Sequence, residues 1–110
     1  RRYREERLAP TGIEPLFPLW GRPTDQLARD MIAGGLRATI TCVDPKQLDR
    51  SFIGREFSAT TFPDGIDPCG ERGEFHSCVT AGPMFSAPIA TTTGEIVTRD
   101  GFVFADVLPV

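Results

Sequence analysis

The stretch Leu36-Arg37-Ala38-Thr39-Ile40-Thr41-Cys42-Val43, preceded by Gly34-Gly35 and ended by Asp44-Pro45, decides how the rest of the chain is read. It is rich in β-branched residues and bounded by turn residues on both sides, the pattern of a strand. Immediately upstream, Thr24 offers an N-cap, and Leu27, Ala28, Met31 and Ile32 recur at helical spacing as far as the Gly34-Gly35 stop. Further upstream, Ile13-Glu14-Pro15-Leu16-Phe17-Pro18-Leu19-Trp20 is apolar on both parities, as a strand buried on both faces would be. Its two prolines cannot donate ladder hydrogen bonds, which makes it short or places it near a sheet edge. Strand, helix, strand with short joins predicts a right-handed βαβ unit with parallel strands.

Downstream of Lys46 the 3.6-residue period does not return. Gly and Pro interrupt short runs at 75–80, 89–92, 96–98 and 102–105, and Asp100-Gly101 between two apolar runs is a strong two-residue hairpin signal. This part is expected to be mostly antiparallel β. The fold class is therefore α/β: the end of a parallel α/β sheet in residues 1–48, then a β-rich lobe in residues 49–110. Ahead of both, Arg1-Arg2-Tyr3-Arg4-Glu5-Glu6-Arg7-Leu8 reads as an exposed, salt-bridged helix that breaks at Ala9-Pro10-Thr11-Gly12 and whose apolar partners lie outside the chain.

The 110 residues are 40% hydrophobic and 25% charged, which suits one globular domain and leaves too little chain for two complete ones with a cleft between them. Lys and Arg number 12 against 15 Asp and Glu, a balance without the basic footprint of a nucleic-acid binder. No apolar run approaches the ~20 residues that span a bilayer. Cys42, Cys69 and Cys78 are odd in number and follow no signal peptide, so reduced thiols in a cytoplasmic protein are expected.

Candidate chemistry is densest in Gly65-Ile66-Asp67-Pro68-Cys69-Gly70-Glu71-Arg72-Gly73-Glu74-Phe75-His76-Ser77. Gly70 and Gly73 would let backbone amides approach a ligand, and Glu71 and Glu74 could hold an ammonium, a metal or a proton in transit. Alternation along a strand would place Glu74 and His76 on one face, with Phe75 and Ser77 on the other. The same residues also read as an acidic surface turn with a solvated histidine. Cys69, His76 and Cys78 lack the close pairing of a structural zinc site, and no metal is expected. Cys42 reads as a small buried residue of its strand. Trp20 is either a core aromatic or the wall of a ligand site at a strand end. Arg55, after Gly54, could serve an anion or an ordinary surface ion pair.

Taken together, Ile13 to Gly21, Gly54-Arg55-Glu56-Phe57, Asp67 to Ser77 and Gly82-Pro83-Met84-Phe85 occur in the order and approximate spacing of diphthine-ammonia ligase-like proteins. The chain resembles these N-type ATP pyrophosphatases with a diphthamide-synthesis domain over essentially its whole length. The specific part is the Gly-Glu-x-Gly-Glu-aromatic-x-Ser/Thr motif. The resemblance implies an ATP-dependent amidation. ATP adenylylates a carboxylate, pyrophosphate leaves, and ammonia displaces AMP; in family members the carboxylate is that of diphthine, a modified histidine of elongation factor 2.

It further implies that residues 1–48 close a Rossmann-like sheet of the adenine nucleotide alpha hydrolase type and that residues 49–110 form the substrate lobe. Glu71 and Glu74 would be catalytic, Gly70, Gly73, His76, Ser77 and Arg55 substrate-binding, and Leu19, Trp20 and Gly21 would face the nucleotide. ATP and Mg2+ are expected for the complete enzyme. The family's Ser-Gly-Gly-x-Asp-Ser phosphate loop does not occur in these 110 residues. The chain alone is thus expected to be inactive and to act with an N-terminal nucleotide-binding domain or partner chain. A non-catalytic binding or assembly domain of the same fold is the alternative. The apolar edge at 13–20 would be covered most simply in a homodimer.

Overall fold

Alternating apolar residues over Arg37–Val43 form β1, the strand that organises the fold in the computed structural model, which describes residues 1–110. Ala38 and Ile40 are buried and Thr39 and Thr41 less so, as the two-residue period of a strand requires. Ile40 then faces Ser77 while Cys42 faces His76, so Thr41 is an extra residue in β1. This bulge switches the parity, and Val43 rather than Cys42 joins Ala38 and Ile40 in the core.

Three further strands complete one antiparallel sheet: β2 (Phe75–Ala81), β3 (Thr91–Arg99) and β4 (Phe102–Pro109), in the order β2-β1-β4-β3. The runs at 89–92 and 96–98 thus fall largely within one strand, whose register slips by a residue between Thr93 and Ile96. The β3–β4 turn is the expected two-residue hairpin, with Asp100 at φ 52° and Gly101 at φ 82°, the pair of positive φ angles that suits the right-handed twist.

Beside β1, β4 pairs only with Cys42 and Val43. The earlier half of that edge is taken by residues 54–56: the Ile40 N–H donates to the Arg55 carbonyl (3.0 Å), and the Gly54 N–H donates to the Ile40 carbonyl (2.8 Å). This loop carries Phe52 and Phe57 to the sheet. Phe62 stacks on Phe75 at 4.8 Å and on Phe52 at 5.9 Å, with Phe57 tilted against both Phe62 and Phe75. Such pairs add to area burial by roughly 0.5–1.5 kcal/mol each.

Two helices lie outside the sheet. Arg2–Leu8 forms α1, buries no residue, and carries the ion pairs Arg1–Glu5 and Arg2–Glu6. Thr24–Ala33 forms α2, which buries Ala28 in the same core as Ile40 and Phe57. The expected glycine stop closes α2: the Leu36 N–H reaches the Met31 carbonyl and the Gly35 N–H that of Ile32, both at 3.0 Å. No helix is long and apolar enough to cross a membrane.

One expectation fails. Residues 13–20 form no strand, and no parallel βαβ unit exists, because both edges of β1 are occupied by antiparallel neighbours. Pro15 and Pro18 lack the N–H that pairing needs, and the segment closes instead into two turns, with Trp20 N–H on the Phe17 carbonyl and Arg22 N–H on that of Leu19, both at 3.1 Å. Ala28, Ile40 and Val43 share a single cluster with Phe52, Phe75 and Val103.

Glu74 is the one charged or polar residue buried in the chain, with no exposed surface. Its Oε2 accepts the Asp67 N–H at 2.6 Å and its Oε1 the Arg72 N–H at 2.7 Å. Both carboxylate oxygens therefore hold the loop that precedes β2, through the strong class of charge-assisted bonds. Within the loop, Gly70 has φ 66°, and a Cβ there would lie 2.9 Å from the Phe75 carbonyl oxygen, so only glycine fits. Glu74→Gln would turn an amide NH2 toward one of the two N–H donors, leaving a buried donor without a partner. In urea titration this variant should lose roughly 1–3 kcal/mol, and Gly70→Ala at least 1 kcal/mol. Glu71→Gln, at an exposed position, should stay within about 0.5 kcal/mol. Equal losses at Glu71 and Glu74 would contradict this division of roles.

Candidate functional site

The turns at residues 17–21, which replace the expected strand, form one wall of a surface cleft of about 620 Å³. Phe17, Leu19 and Trp20 supply its apolar side, and Thr24 and Leu27 of α2 line it further. Arg4 of α1, Arg22 and Glu71 supply its charges. Arg22 is held by Asp30 at 2.6 Å, with Gln26 bonded to the same carboxylate at 2.8 Å. Trp20 keeps 63% of its surface exposed, with the Arg1 guanidinium 5.6 Å from its ring centre.

Glu71 reaches this cleft because its loop is pinned on both sides. The Glu74 carboxylate fixes the amides of Asp67 and Arg72, and the Cys69 Sγ–H donates to the Thr24 carbonyl at 3.3 Å, tying the loop to the start of α2. The Cys69 N–H is itself capped by the Asp67 side chain at 2.8 Å. Burial pushes the Cys69 thiol above its ordinary value, and the Asp67 and Glu71 carboxylates push it the same way. It therefore stays protonated at neutral pH, the form that can donate. Behind the loop, Gln47 links the Arg72 carbonyl (3.3 Å) to Asp44, whose own carboxylate is held below its usual range by the Gln47 side chain and the Lys46 N–H.

Of the residues singled out in the sequence, the structure brings together Leu19, Trp20, Gly21 and Glu71, which are fifty positions apart at their closest. Gly70, Gly73 and Glu74 belong to the loop that presents Glu71 rather than to the cleft wall. His76 and Ser77 lie exposed on β2, and Glu74, which precedes the strand, turns inward instead of sharing a face with His76. Arg55 lies over the Phe52 ring at 4.2 Å and donates to the Ser51 carbonyl, also outside the cleft. Sequence reading missed Arg4, Phe17 and Arg22. The only local signal was an arginine directly after Trp20-Gly21. No three His, Cys, Asp or Glu side chains converge where a metal ion could be held, and all three cysteines are free.

A sequence model of the diphthamide synthase C-terminal domain matches residues 23–106. Among curated proteins, the chain is 31% identical over 103 residues to the diphthine–ammonia ligase of Mus musculus and 30% identical over 103 residues to that of Homo sapiens. Each alignment covers 86% of this chain and 39% of the relative. The corresponding protein of Schizosaccharomyces pombe is 29% identical over 93 residues, covering 78% of this chain and 15% of the relative. The chain thus spans about two fifths of the mammalian relatives it matches and a smaller part of the yeast one. About three-quarters of its length, from Pro23 at the start of α2 to Asp106 within β4, carries the family pattern, and the chain belongs to the diphthamide synthase C-terminal domain family.

Proposed function

We propose that this chain is the acceptor-side part of an ATP-dependent amide ligase acting on diphthine of elongation factor 2, with the 620 Å³ cleft as the place where acceptor, ammonia and nucleotide meet. The observation that carries this reading is the convergence of Leu19, Trp20 and Gly21 with Glu71 in that cleft. The reaction joins a carboxylate and ammonia at the cost of ATP. The acceptor carboxylate attacks the α-phosphorus, pyrophosphate departs, and ammonia then attacks the acyl carbon as AMP leaves and a proton is lost. Elongation factor 2 as acceptor places the reaction in the cytoplasm.

Glu71 has the role its position allows. It is the single carboxylate lining the cleft, it is open to solvent, and it can hold an ammonium ion or accept the proton that the attacking nitrogen must shed. Glu74 holds Glu71's loop in place and does not touch substrate. Phosphates and their Mg2+ require a nucleotide-binding part that supplies a backbone cradle, and Leu19, Trp20 and Gly21 form the wall that would face it. Bound Mg2+ would neutralise charge on the phosphates. Glu71 suits it as one carboxylate ligand, since Mg2+ is typically held by one or two carboxylates together with substrate oxygens.

The test is made on the full-length protein supplied with ATP, ammonium and diphthine-bearing elongation factor 2. AMP release that depends on both acceptor and ammonium, with one acceptor carboxyl converted to carboxamide by mass, is the expected result. Absence of acceptor-dependent AMP would leave a binding or assembly domain as the correct reading. Glu71→Gln should lower turnover roughly a hundred-fold or more while nucleotide affinity changes little.

A further inference from the structure

We infer that β3 is the contact strand of a twofold homodimer, pairing antiparallel with the β3 of a second copy about an axis at Val97. This goes beyond the ligase reading and does not rest on it. β3 stands last in the order β2-β1-β4-β3 and pairs only with β4, so its other edge is bare. The direction of each backbone group there follows from the hairpin. Arg99 and Phe102 flank the two-residue turn as a hydrogen-bonded pair, and bonded and non-bonded pairs alternate from that point. Val97 therefore bonds to Phe104, while the amides and carbonyls of Ile96 and Thr98 turn outward, where no other backbone group of the chain meets them. Natural edge strands are blunted by proline, by lysine or by being short. β3 has nine residues and neither of those side chains, and Ile96 and Val97 are 45% and 39% exposed. The sheet edge left to cover is thus β3 rather than residues 13–20, which form no strand.

Charge selects both the occupant and the register. Glu95, Val97 and Arg99 line one cavity of about 270 Å³ with Phe104 and Asp106, so they share a face of the hairpin. Asp106 lies beside Gly94, which makes the Glu95 end of this face acidic, and Arg99 makes the other end basic. Neither Glu95 nor Arg99 enters an ion pair within the chain. A strand with opposite charges at its two ends is complementary to itself when reversed. With the axis at Val97, Glu95 lies across from the second copy's Arg99 on both sides of the axis, and Val97 meets its own counterpart. Ile96 and the second copy's Thr98, both turned outward, then exchange hydrogen bonds. Other registers lose one or both of these matches. An axis between two residues opposes an outward residue to an inward one. An axis at Ile96 sets Arg99 across from Thr93, one at Thr98 sets it across from Val97, and axes at Glu95 or Arg99 oppose like charges. The pairing joins two four-stranded sheets into one continuous sheet.

Sedimentation of the full-length protein over a concentration series, at low salt, should show a reversible dimer. Glu95→Arg and Arg99→Glu, each with its circular dichroism unchanged, should weaken dimerisation roughly ten-fold or more by opposing like charges. The double variant carrying both substitutions restores opposite charges across the axis and should recover most of the lost affinity. A second measurement does not depend on the reversed charges. Val97 pairs with itself at a non-hydrogen-bonded position, where the Cα atoms stand about 4.5 Å apart, within the range a disulfide spans. With Cys78 replaced by serine to remove the exposed native thiol, Val97→Cys should therefore give a covalent dimer under glutathione disulfide, with the 97–97 link found by peptide mass. A monomer at every concentration would overturn the proposal, and would mean that the β3 edge is covered within the full-length chain or left to water. So would a dimer that neither charge reversal weakens, a double variant that stays as weak as the single ones, or the absence of the 97–97 link.

Discussion

A fully buried carboxylate must be neutralised or given donors, and Glu74 is given two backbone amides, one from each end of the loop 67–72. Much of the site geometry follows from that requirement. With the amides of Asp67 and Arg72 held at 2.6 and 2.7 Å, the intervening residues form a compact loop, and Glu71 is left at its surface. Gly70 permits the close pass beneath Phe75, whose ring belongs to the aromatic cluster on the sheet. The clamp therefore joins the hydrophobic core to the charged rim of the cleft, and every buried side-chain polar atom finds a partner.

Two glutamates three positions apart are thus used in opposite ways. Glu74 spends its charge on the backbone and Glu71 keeps its charge for solvent or ligand. The tie between Cys69 and Thr24 extends the same logic to the neighbouring helix: a thiol kept protonated by burial and by two nearby carboxylates can bridge to a carbonyl, where a thiolate could not. The cleft is accordingly built from three separated pieces, α1, the turns at 17–21 and the 67–74 loop, brought together around the start of α2.

The failed strand at 13–20 shows what local pattern reading misses. The segment is apolar on both parities, but Leu16, Leu19 and Trp20 remain exposed at more than half of their surfaces, because two prolines deny the segment a ladder and turns take over. Phe17, Leu19 and Trp20 line the cleft instead of a sheet interior. By contrast, the hairpin at Asp100-Gly101 and the helix ending at Gly34-Gly35 were legible because each depends on the conformational limits of a few adjacent residues.

The sequence by itself determined the elements whose cause is local: α2 and its glycine stop, β1, the β3–β4 hairpin, the acidic Gly-Glu-x-Gly-Glu loop and the family to which that loop belongs. Tertiary structure alone decided the strand order, the antiparallel partners of β1 and the division of labour between Glu71 and Glu74. The reason is physical. Strand pairing and carboxylate burial depend on which distant backbone groups are free to bond, and no window of adjacent residues contains that information.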